Sequence, residues 1–415
     1  MRVLLSTYGS RGDVEPMAAL AVALQALGVE AVVCAPPDDE FVALLDRAGV
    51  PLAPAFSSVR AWVTEAMANP TGIDLPTRAA YVAAAQYEAI SAAAEGCDAV
   101  LATGLFPSTA AARAVAEIRA IPYVYATYCP IWLPSEHHRP HPYPGHPVPD
   151  EITDNRLLWA RDVDTMNALF GRGVGSLRAS VGLPSVDNVR DQVMTQRPWL
   201  ASDAVLSPWL PSDLREVVQT GAWILPDDRP LPDGLEAFLA AGEAPVYVGF
   251  GSMPMAAARD AGQAAIAAIR ARGQRVLLLQ GWAELVAADD RDDCLVIGEV
   301  NQQALFRRVA AVIHHGGAGT TTAAARAGAP QLVVPQIADQ PYWAGRVATL
   351  GIGAAQAGPM PSVESLSAGL ASALAPETRE RAAAAARAMR ADGASVAAKL
   401  LLEIVAGGGA RPRSK

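Results

Sequence analysis

The sequence predicts an α/β protein with two parallel sheets, each covered by helices. Three observations support this prediction. Short apolar runs alternate with helical segments in both halves of the chain, a proline-rich stretch separates the halves, and 415 residues exceed what one ordinary core encloses. Because this alternation is that of β-turn-α-β units, we expect parallel strands and two domains of similar architecture.

Strands and helices alternate along the first half. An apolar strand at 2–7 leads into a glycine turn at 9–12, and the apolar residues from Pro16 continue as a helix up to Gly28. Three further strands and one helix continue the alternation. The strands lie at 30–35, 99–104 and 122–126, and the helix lies near 107–117.

The second half repeats the pattern after the proline-rich stretch. Its predicted strands lie at 245–252, 275–279, 295–298, 309–313 and 331–335. An alanine-rich helix at about 379–405 is expected to pack back across the joint. The predicted organisation is an N-terminal domain, a linker, a C-terminal domain and a terminal helix with its tail, at 1–206, 207–232, 233–385 and 386–415.

Composition limits the classes of partner. The formal net charge of −9 disfavours nucleic acid, because a duplex requires a basic surface. No apolar run reaches the roughly 18 residues that span a bilayer, and the N-terminus enters a strand rather than a signal segment. The four cysteines are far apart, without metal or redox spacing. We expect a cytoplasmic protein with no membrane partner, no disulfide and no structural zinc.

The segment 314–320 (His-His-Gly-Gly-Ala-Gly-Thr) has the features of an anion site. It follows an apolar strand and opens a helix that ends at Gly328 and Pro330. The first N–H groups of a helix are unpaired and carry the positive end of its dipole, so a diphosphate fits there. Asp339 and Gln340 follow the next strand and supply a carboxylate and an amide. This combination suits a sugar nucleotide.

Seven segments, in their order and spacing, resemble one family. They are 9–16 (GSRGDVEP), 219–226 (QTGAWILP), 246–252 (VYVGFGS), 281–285 (GWAEL), 298–301 (GEVN), 314–320 (HHGGAGT) and 338–347 (ADQPYWAGRV). Together they span nearly the whole chain. They resemble the two-domain glycosyltransferases of the GT-B fold that decorate vancomycin- and teicoplanin-type glycopeptide antibiotics.

This resemblance implies a fold and a reaction. Two Rossmann-like, doubly wound domains would face each other across a cleft, with the N-terminal one binding the acceptor, the C-terminal one binding the nucleotide sugar, and the last helix crossing back. The implied reaction is inverting, metal-independent transfer of a glucose- or glucosamine-type hexose from a UDP-sugar, or a dTDP-sugar, to a phenolic hydroxyl of a crosslinked heptapeptide aglycone. We expect no cofactor, and a monomer or weak dimer.

Two residues are expected to be catalytic. Asp13 lies in the glycine turn after the first strand, the position that carries the general base in the resembling enzymes. Because a phenol has a pKa of about 10, an ordinary carboxylate can deprotonate it. The alternative role of Asp13 is to N-cap the first helix. Asp339 is the second predicted catalytic residue.

The predicted donor-binding residues come from several turns. They are Ser10, Arg11, Gly12, Ser252, Trp282, Val300, His315, Gly317, Ala318, Gly319, Thr320, Asp339 and Gln340. His315 and the N–H groups of 317–320 are expected to take the diphosphate, with Ser252 bonding a phosphate oxygen. His314 is expected to point into packing.

The remaining donor residues are expected to bind the sugar and the base. Asp339 and Gln340 can accept from and donate to sugar hydroxyls, and by resemblance they fit a fully hydroxylated, glucose-type donor. Their alternative role is a loop cap. The main chain of Val300 and the indole of Trp282 are the candidates for holding the nucleobase, although Trp282 could equally fill the core.

The acceptor is assigned to a loop rich in histidine and proline. The predicted acceptor-binding residues are Tyr128, Trp132, His137 and His141. Four of the six histidines stand at 137–146. A metal site there is disfavoured, because the prolines enforce an irregular backbone and no Cys, Asp or Glu stands at useful spacing, so we expect a mobile loop. The acidic run 289–293 reads as a solvated turn and not as a Mg²⁺ site.

Three other functions compete with glycosyl transfer. A sugar-nucleotide epimerase could use the same architecture and phosphate site without a second substrate. A non-catalytic nucleotide-sugar-binding helper is disfavoured by the presence of both Asp13 and Asp339. A dehydrogenase is the weakest alternative, because the turn at 9–12 lacks the third glycine of a dinucleotide fingerprint.

Overall fold

The computed structural model describes residues 1–61, 64, 74–251, 258–281, 285–287, 289, 291–358 and 360–408. The chain divides into two compact units. The first contains 1–202, 209–225 and the described residues from Ala391 onward, and the second contains 203–208 and 226–390. The stretch predicted as a linker, 207–232, is therefore divided between the two units.

The first unit is built on a parallel sheet. Its strands are β1 (Arg2–Tyr8), β2 (Glu30–Ala35), β3 (Leu52–Pro54), β4 (Ala99–Gly104), β5 (Tyr123–Thr127), β6 (Trp199–Leu200) and β7 (Val218–Gln219). They pair in the order β3-β2-β1-β4-β5-β6-β7, with Val3 of β1 opposite both Ala31 and Ala99. Because the order reverses between β1 and β4, the carboxyl ends of these strands form a switch point, where ligands bind in such sheets.

Helices connect and cover these strands. They are α1 (Arg11–Gln25), α2 (Asp39–Arg47), α3 (Leu75–Ala93), α4 (Phe106–Arg119), α5 (Asn155–Met166), α6 (Arg172–Ser180) and α7 (Val189–Met194), with a 3₁₀ turn at Pro130–Trp132 and a π turn at Asn167–Gly171. The first helix begins at Arg11, five residues before the predicted start at Pro16. Ser10 caps the helix at this earlier start.

The second unit repeats the architecture. Its strands are β8 (Val246–Gly249), β9 (Val276–Leu279), β10 (Cys294–Ile297), β11 (Ala311–His314), β12 (Gln331–Val333) and β13 (Gly353–Ala355), all parallel in the order β10-β9-β8-β11-β12-β13. Its helices are α8 (Asp233–Ala240), α9 (Ala258–Arg270), α10 (Gln302–Leu305), α11 (Ala318–Ala327), α12 (Gln340–Thr349), α13 (Val363–Ala373) and α14 (Pro376–Ala388), with a 3₁₀ turn at Phe306–Arg308. The predicted pair of doubly wound, Rossmann-like sheets is confirmed.

Apolar residues on both faces of the second sheet explain its near-continuous hydrophobic strands. Val246 and Val248 of β8 pack in a buried cluster with Ile266 of α9. Tyr247, between them in sequence, points to the opposite face and packs with Phe306, the two rings lying 5.0 Å apart. Because successive side chains of a strand point to opposite faces, β8 contributes to a buried cluster on each face of the sheet.

The C-terminal helix differs from the prediction. Instead of one helix at about 379–405, α14 ends and a separate helix, α15 (Gly393–Gly408), follows. Met389 leaves the helical region with ψ 145°, and a side chain at Gly393 would overlap the carbonyl of Ala222. The close approach therefore requires glycine, and α15 packs on α1 in the first unit. No helix in the described ranges is long and apolar enough to cross a membrane.

Candidate active site

The glycine turn of the second unit leads into an open helix start. β11 ends at His314, Gly316 has φ +93°, and Gly317 is the N-cap of α11. A Cβ at Gly316 would lie 2.7 Å from Val333 Cγ1, so only glycine fits there. Within the described part of the chain, no side chain caps this helix start. The N–H groups of 318–320 precede the first helical bond, which Thr321 N donates to the Gly317 carbonyl at 3.0 Å.

His314 is a buried structural residue, as expected. Its Nδ1 lies 3.1 Å from the donating main-chain N–H of Gly316, and its Nε2 lies 2.9 Å from Gln331 Oε1. These partners assign the proton to Nε2. Burial lowers the pKa of His314 to about 3, with the neighbouring His315 adding to the shift. A neutral His314 therefore holds the glycine turn in place.

His315 lies against the glycine main chain and is 9% exposed. A Cβ at Gly251 would stand 2.5 Å from its Cε1, and a Cβ at Gly317 would stand 2.5 Å from its Nε2. Its buried Nδ1 meets no partner in hydrogen-bonding geometry among the residues that the structure describes. Burial lowers the pKa of His315 to about 4, so the imidazole is neutral at pH 7.

The loop before α12 shapes the predicted sugar-binding pair. Gln340 Oε1 accepts hydrogen bonds from the main-chain N–H groups of Gln336 and Ile337, at 2.8 and 3.1 Å. Ala338 has φ +55°, a left-handed conformation that a non-glycine residue rarely adopts. The Gln340 oxygen therefore closes this strained turn, which leaves its amide nitrogen as the end that can donate.

Asp339 is the N-cap residue of α12, and its side chain is held from within the same helix. Trp343 Nε1 donates to Asp339 Oδ2 at 2.8 Å. Burial raises the pKa of Asp339, and the hydrogen bond from Trp343 opposes that shift. The turn and this helix are in contact, because a Cβ at Gly316 would stand 3.1 Å from the Gln340 carbonyl. The structure thus brings the helix start of α11 and the Asp339-Gln340 pair together.

The nucleobase candidates are only partly described. Ser252 and Trp282 lie outside the described residues. Val300 is partly buried against the cluster that includes Leu305. The next residue, Asn301, was not among the predicted binding residues: its Nδ2 donates to the carbonyls of Asp227 and Arg229, at 2.7 and 2.9 Å, and its Oδ1 caps α10. An Asn just before a helix is the signal that could have identified it.

In the first unit, Asp13 lies at the start of α1 but is not its N-cap. Ser10 is the N-cap, and its Oγ accepts from Gly12 N at 3.3 Å. Asp13 Oδ2 accepts from Ser10 N at 2.8 Å, which completes a capping box. The alternative expectation that Asp13 is the N-cap of this helix is therefore wrong. A side chain at Gly9 would overlap the Asp13 carboxylate, so this glycine makes room for it.

Arg11 of this turn and Tyr128, which contacts the turn, both have partners within the first unit. Arg11 Nε donates to Glu15 Oε2 at 2.7 Å, one helical turn further on. Tyr128, predicted to bind the acceptor, donates from its hydroxyl to the Asp13 carbonyl at 3.2 Å. Its ring meets Trp223 edge-on at 6.0 Å, and burial raises its pKa well above the usual range. Tyr128 therefore fixes the main chain of Asp13.

Two of the predicted acceptor-binding residues, Trp132 and His141, lie together in an aromatic cluster. The Trp132 and His141 rings lie 4.6 Å apart, and Tyr143 lies 5.8 Å from His141. His137 stands apart from them: its Nε2 is 2.9 Å from the Pro211 carbonyl. Trp132, His141 and Tyr143 are partly exposed, which suits stacking on an aromatic ligand.

Hydrogen bonds and ring contacts within the first unit connect this loop to its surroundings. His138 Nε2 lies 2.9 Å from the Leu133 carbonyl, and its ring packs edge-on against Trp159 and Trp209, at 5.8 and 6.1 Å. Trp159 Nε1 donates to the His138 carbonyl at 2.9 Å. In the described ranges, no three His, Cys, Asp or Glu side chains come together in a way that could hold a metal ion.

Comparison with known proteins gives a consistent set of relatives. The family described as "Erythromycin biosynthesis protein CIII-like, C-terminal domain" matches residues 290–401. Glycosyltransferase GtfE of Amycolatopsis orientalis is 55% identical over 405 residues, covering 98% of each chain. The vancomycin aglycone glucosyltransferase of the same organism is 52% identical over 405 residues, also covering 98% of each. Its dTDP-epi-vancosaminyltransferase is 49% identical over 387 residues, covering 92% of each.

Solved structures share the fold at lower identity. The glycotransferase of kitacinnamycin superposes with a TM-score of 0.71 at 20% identity, covering 97% of this chain and 98% of the other. The spinosyn forosaminyltransferase SpnP gives a TM-score of 0.70 at 19% identity, covering 98% and 99%. These likenesses show that the chain shares its fold with both solved structures over nearly its whole length.

Proposed function

We propose a function from one premise: the chain belongs to the family of GT-B glycosyltransferases that includes the vancomycin aglycone glucosyltransferase of Amycolatopsis orientalis. We propose that it transfers a glucose- or glucosamine-type hexose from a UDP-sugar, or a dTDP-sugar, to a phenolic hydroxyl of a glycopeptide aglycone. The transfer inverts the anomeric centre and uses no metal. The observation that carries this proposal is the open helix start of α11 beside Asp339 and Gln340.

The donor half of the mechanism follows from the second unit. As the bond between the anomeric carbon and the diphosphate oxygen breaks, its electron pair stays on that oxygen, which becomes more negative. The unpaired N–H groups of 318–320 and the helix dipole stabilise this charge, with His315 as a neutral neighbour. The Oδ1 atom of Asp339 accepts a bond from a sugar hydroxyl, since Trp343 holds Oδ2, and the Gln340 amide nitrogen donates one.

The acceptor half assigns proton transfer to the first unit. The Asp13 carboxylate takes the proton of the phenolic hydroxyl, and the oxygen then attacks the anomeric carbon from the face opposite the diphosphate. Ser10 and Tyr128 hold the side chain and main chain of Asp13, so the base is fixed before the acceptor binds. The rings of Trp132 and His141 stack on the aromatic aglycone.

The test is a product analysis with several donors. The protein is incubated with a vancomycin-type aglycone and UDP-glucose, UDP-N-acetylglucosamine or dTDP-glucose, with EDTA in a parallel series. The proposal predicts an aglycone heavier by one sugar residue, with or without EDTA, and NMR shows the anomeric configuration opposite to that of the donor. Conversion of the donor without aglycone would indicate an epimerase, and binding without any turnover would indicate a helper protein.

The identity of the sugar needs its own comparison. Because one relative is named dTDP-epi-vancosaminyltransferase, members of the family differ in the sugar that their names record. We propose the fully hydroxylated donor for this chain, because Asp339 and Gln340 offer an acceptor and a donor to neighbouring hydroxyls. A higher kcat/KM for dTDP-epi-vancosamine than for UDP-glucose and dTDP-glucose would contradict this assignment.

A further inference from the structure

A short segment, 203–208, belongs to the second unit although both flanking segments belong to the first. Asp203 folds this segment into a compact turn: its Oδ1 accepts from Val205 N and its carbonyl accepts from Ser207 N, both at 2.8 Å. Its Oδ2 accepts from Arg390 N, also at 2.8 Å. Leu206 and Ser207 are 1% and 0% exposed, so this part of the segment is buried in the unit.

Two hydrogen bonds fasten this segment to α12. The hydroxyls of Ser207 and Tyr342 are 2.7 Å apart, and Arg346 Nε donates to the Leu206 carbonyl at 2.8 Å. Tyr342 and Arg346 are four residues apart and therefore lie on one face of the helix. The helix that carries the Asp339-Gln340 pair at its start is thus bonded along this face to the segment 203–208.

The contact continues from Tyr342 to the Asp339 carboxylate. The Tyr342 and Trp343 rings lie 5.2 Å apart, with an interplanar angle of 78°. Trp343 is 1% exposed, and its Nε1 donates to Asp339 Oδ2 at 2.8 Å. Ser207, Tyr342, Trp343 and Asp339 therefore form a continuous series of hydrogen bonds and ring contacts that starts in a buried turn.

We propose that Tyr342 is a positioning residue for Asp339, with Ser207 holding the Tyr342 hydroxyl. The Tyr342 ring limits the rotation of the Trp343 indole, and the indole N–H decides which carboxylate oxygen of Asp339 is occupied. The other oxygen is then presented in one orientation to the donor sugar. This inference rests on the proposed function only for the sugar-binding role of Asp339.

The first test is equilibrium binding to Tyr342→Phe, which removes one hydroxyl and keeps the ring. We expect the affinity for UDP-glucose, or dTDP-glucose if that binds better, to fall about 3- to 10-fold, as for one lost hydrogen bond. The affinity for the corresponding nucleoside diphosphate alone should change less than about 2-fold, because the diphosphate contacts α11 and not Asp339. Equal losses for both ligands, or no loss for the sugar nucleotide, would overturn the inference.

A matched control removes the same atom elsewhere. The Tyr123 hydroxyl donates to the Thr109 carbonyl at 3.3 Å in the first unit. Tyr123→Phe should leave both affinities unchanged. If Tyr342→Phe does not fold, Ser207→Ala replaces it, because it removes the other hydroxyl of the same bond and should give the same selective loss.

A double-mutant cycle separates positioning from general destabilisation. In the Asp339→Ala background, Tyr342→Phe should reduce sugar-nucleotide affinity by less than about 2-fold further, since the group that it positions is gone. Independent, multiplying losses would show that Tyr342 acts by another route. These readouts need no turnover, so a wild-type protein that transfers no sugar would reject the proposed function and still leave the positioning role measurable.

Discussion

At the scale of single residues, the Asp13 carboxylate has both a structural and a proposed chemical role. Its Oδ2 completes the capping box with Ser10, at 2.8 Å from the main-chain N–H. An Asn side chain still has an oxygen for this bond but cannot take a proton. Asp13→Asn therefore separates the cap from the base.

We predict that Asp13→Asn slows turnover about 100- to 10,000-fold while the melting temperature stays close to that of the wild type. The measurement is kcat with aglycone and donor at saturation, beside thermal unfolding. Asp39→Asn, the same change at an exposed position in the first turn of α2, is the control and should keep wild-type turnover. Near-normal turnover of Asp13→Asn would show that Asp13 is not the general base.

The sequence predicted the positions of important side chains better than it predicted the role of each one. The histidine pair after β11 was visible in the sequence, and so was the burial of His314. That His314 holds the turn through Gly316 N depends on a non-local partner, Gln331, which no spacing shows. The Ser10-x-x-Asp13 capping box is a local motif, but it has Asp where such boxes usually have Glu or Gln, so the spacing alone did not predict it.

Elements were predictable where their patterns are long and local. The strands β1, β2, β4 and β5 and the helix start after β11 follow from apolar runs and glycine turns. The two-residue strands β6 and β7 are too short for any periodicity to indicate them. The break before α15 depends on the close approach of Gly393 to the Ala222 carbonyl, which is a tertiary contact.

A substitution at the start of α11 tests directly whether this helix start binds the diphosphate. Gly319 is its second residue, and a Cβ there meets no atom within 4 Å. Gly319→Ala should therefore stabilise the folded protein by about 0.5–1 kcal/mol. Because a helical Cβ tilts toward the N-terminus, the added methyl would stand beside the open N–H groups. We predict that UDP affinity falls at least about 5-fold despite the higher stability.

The measurement for this prediction is UDP titration calorimetry beside urea unfolding. Gly234 is the matched control, because it is the second residue of α8 in the same unit and also meets no atom within 4 Å. Gly234→Ala should raise stability without affecting UDP binding. A Gly319→Ala variant that binds UDP as tightly as the wild type would place the diphosphate elsewhere.

At the scale of the whole molecule, the sequence predicted two α/β units but not every point at which the chain passes from one unit to the other. The C-terminal helix was expected to pack back across the joint, but its alanine-rich pattern predicts only that it is a helix and not where it packs. The segment 203–208 was not expected in the second unit, because its placement depends on Asp203 bonding the distant Arg390 N–H. Single polar contacts of this kind leave no periodic signal.

The buried histidines make stability depend on pH. The pKa of His314 is lowered to about 3 and that of His315 to about 4, whereas an unfolded chain takes up these protons near pH 6.5. As pH falls below about 6.5, the unfolded state gains protons that the folded state does not, so stability is lost until the folded values are reached.

We predict that urea unfolding between pH 7 and pH 5 shows this loss. Each histidine should lower the free energy of unfolding by about 2 kcal/mol over that interval. His314→Gln removes one titrating group, so its free energy of unfolding should fall by about 2 kcal/mol less than that of the wild type. Parallel pH profiles for the two proteins would contradict the buried, neutral state of His314.

The central claim is that the main chain at the start of α11 holds the leaving diphosphate. The most direct measurement is a crystal structure of the protein soaked with UDP. We predict that the β-phosphate oxygens lie about 3 Å from the N–H groups of 318–320. Phosphates bound away from this helix start would contradict the account.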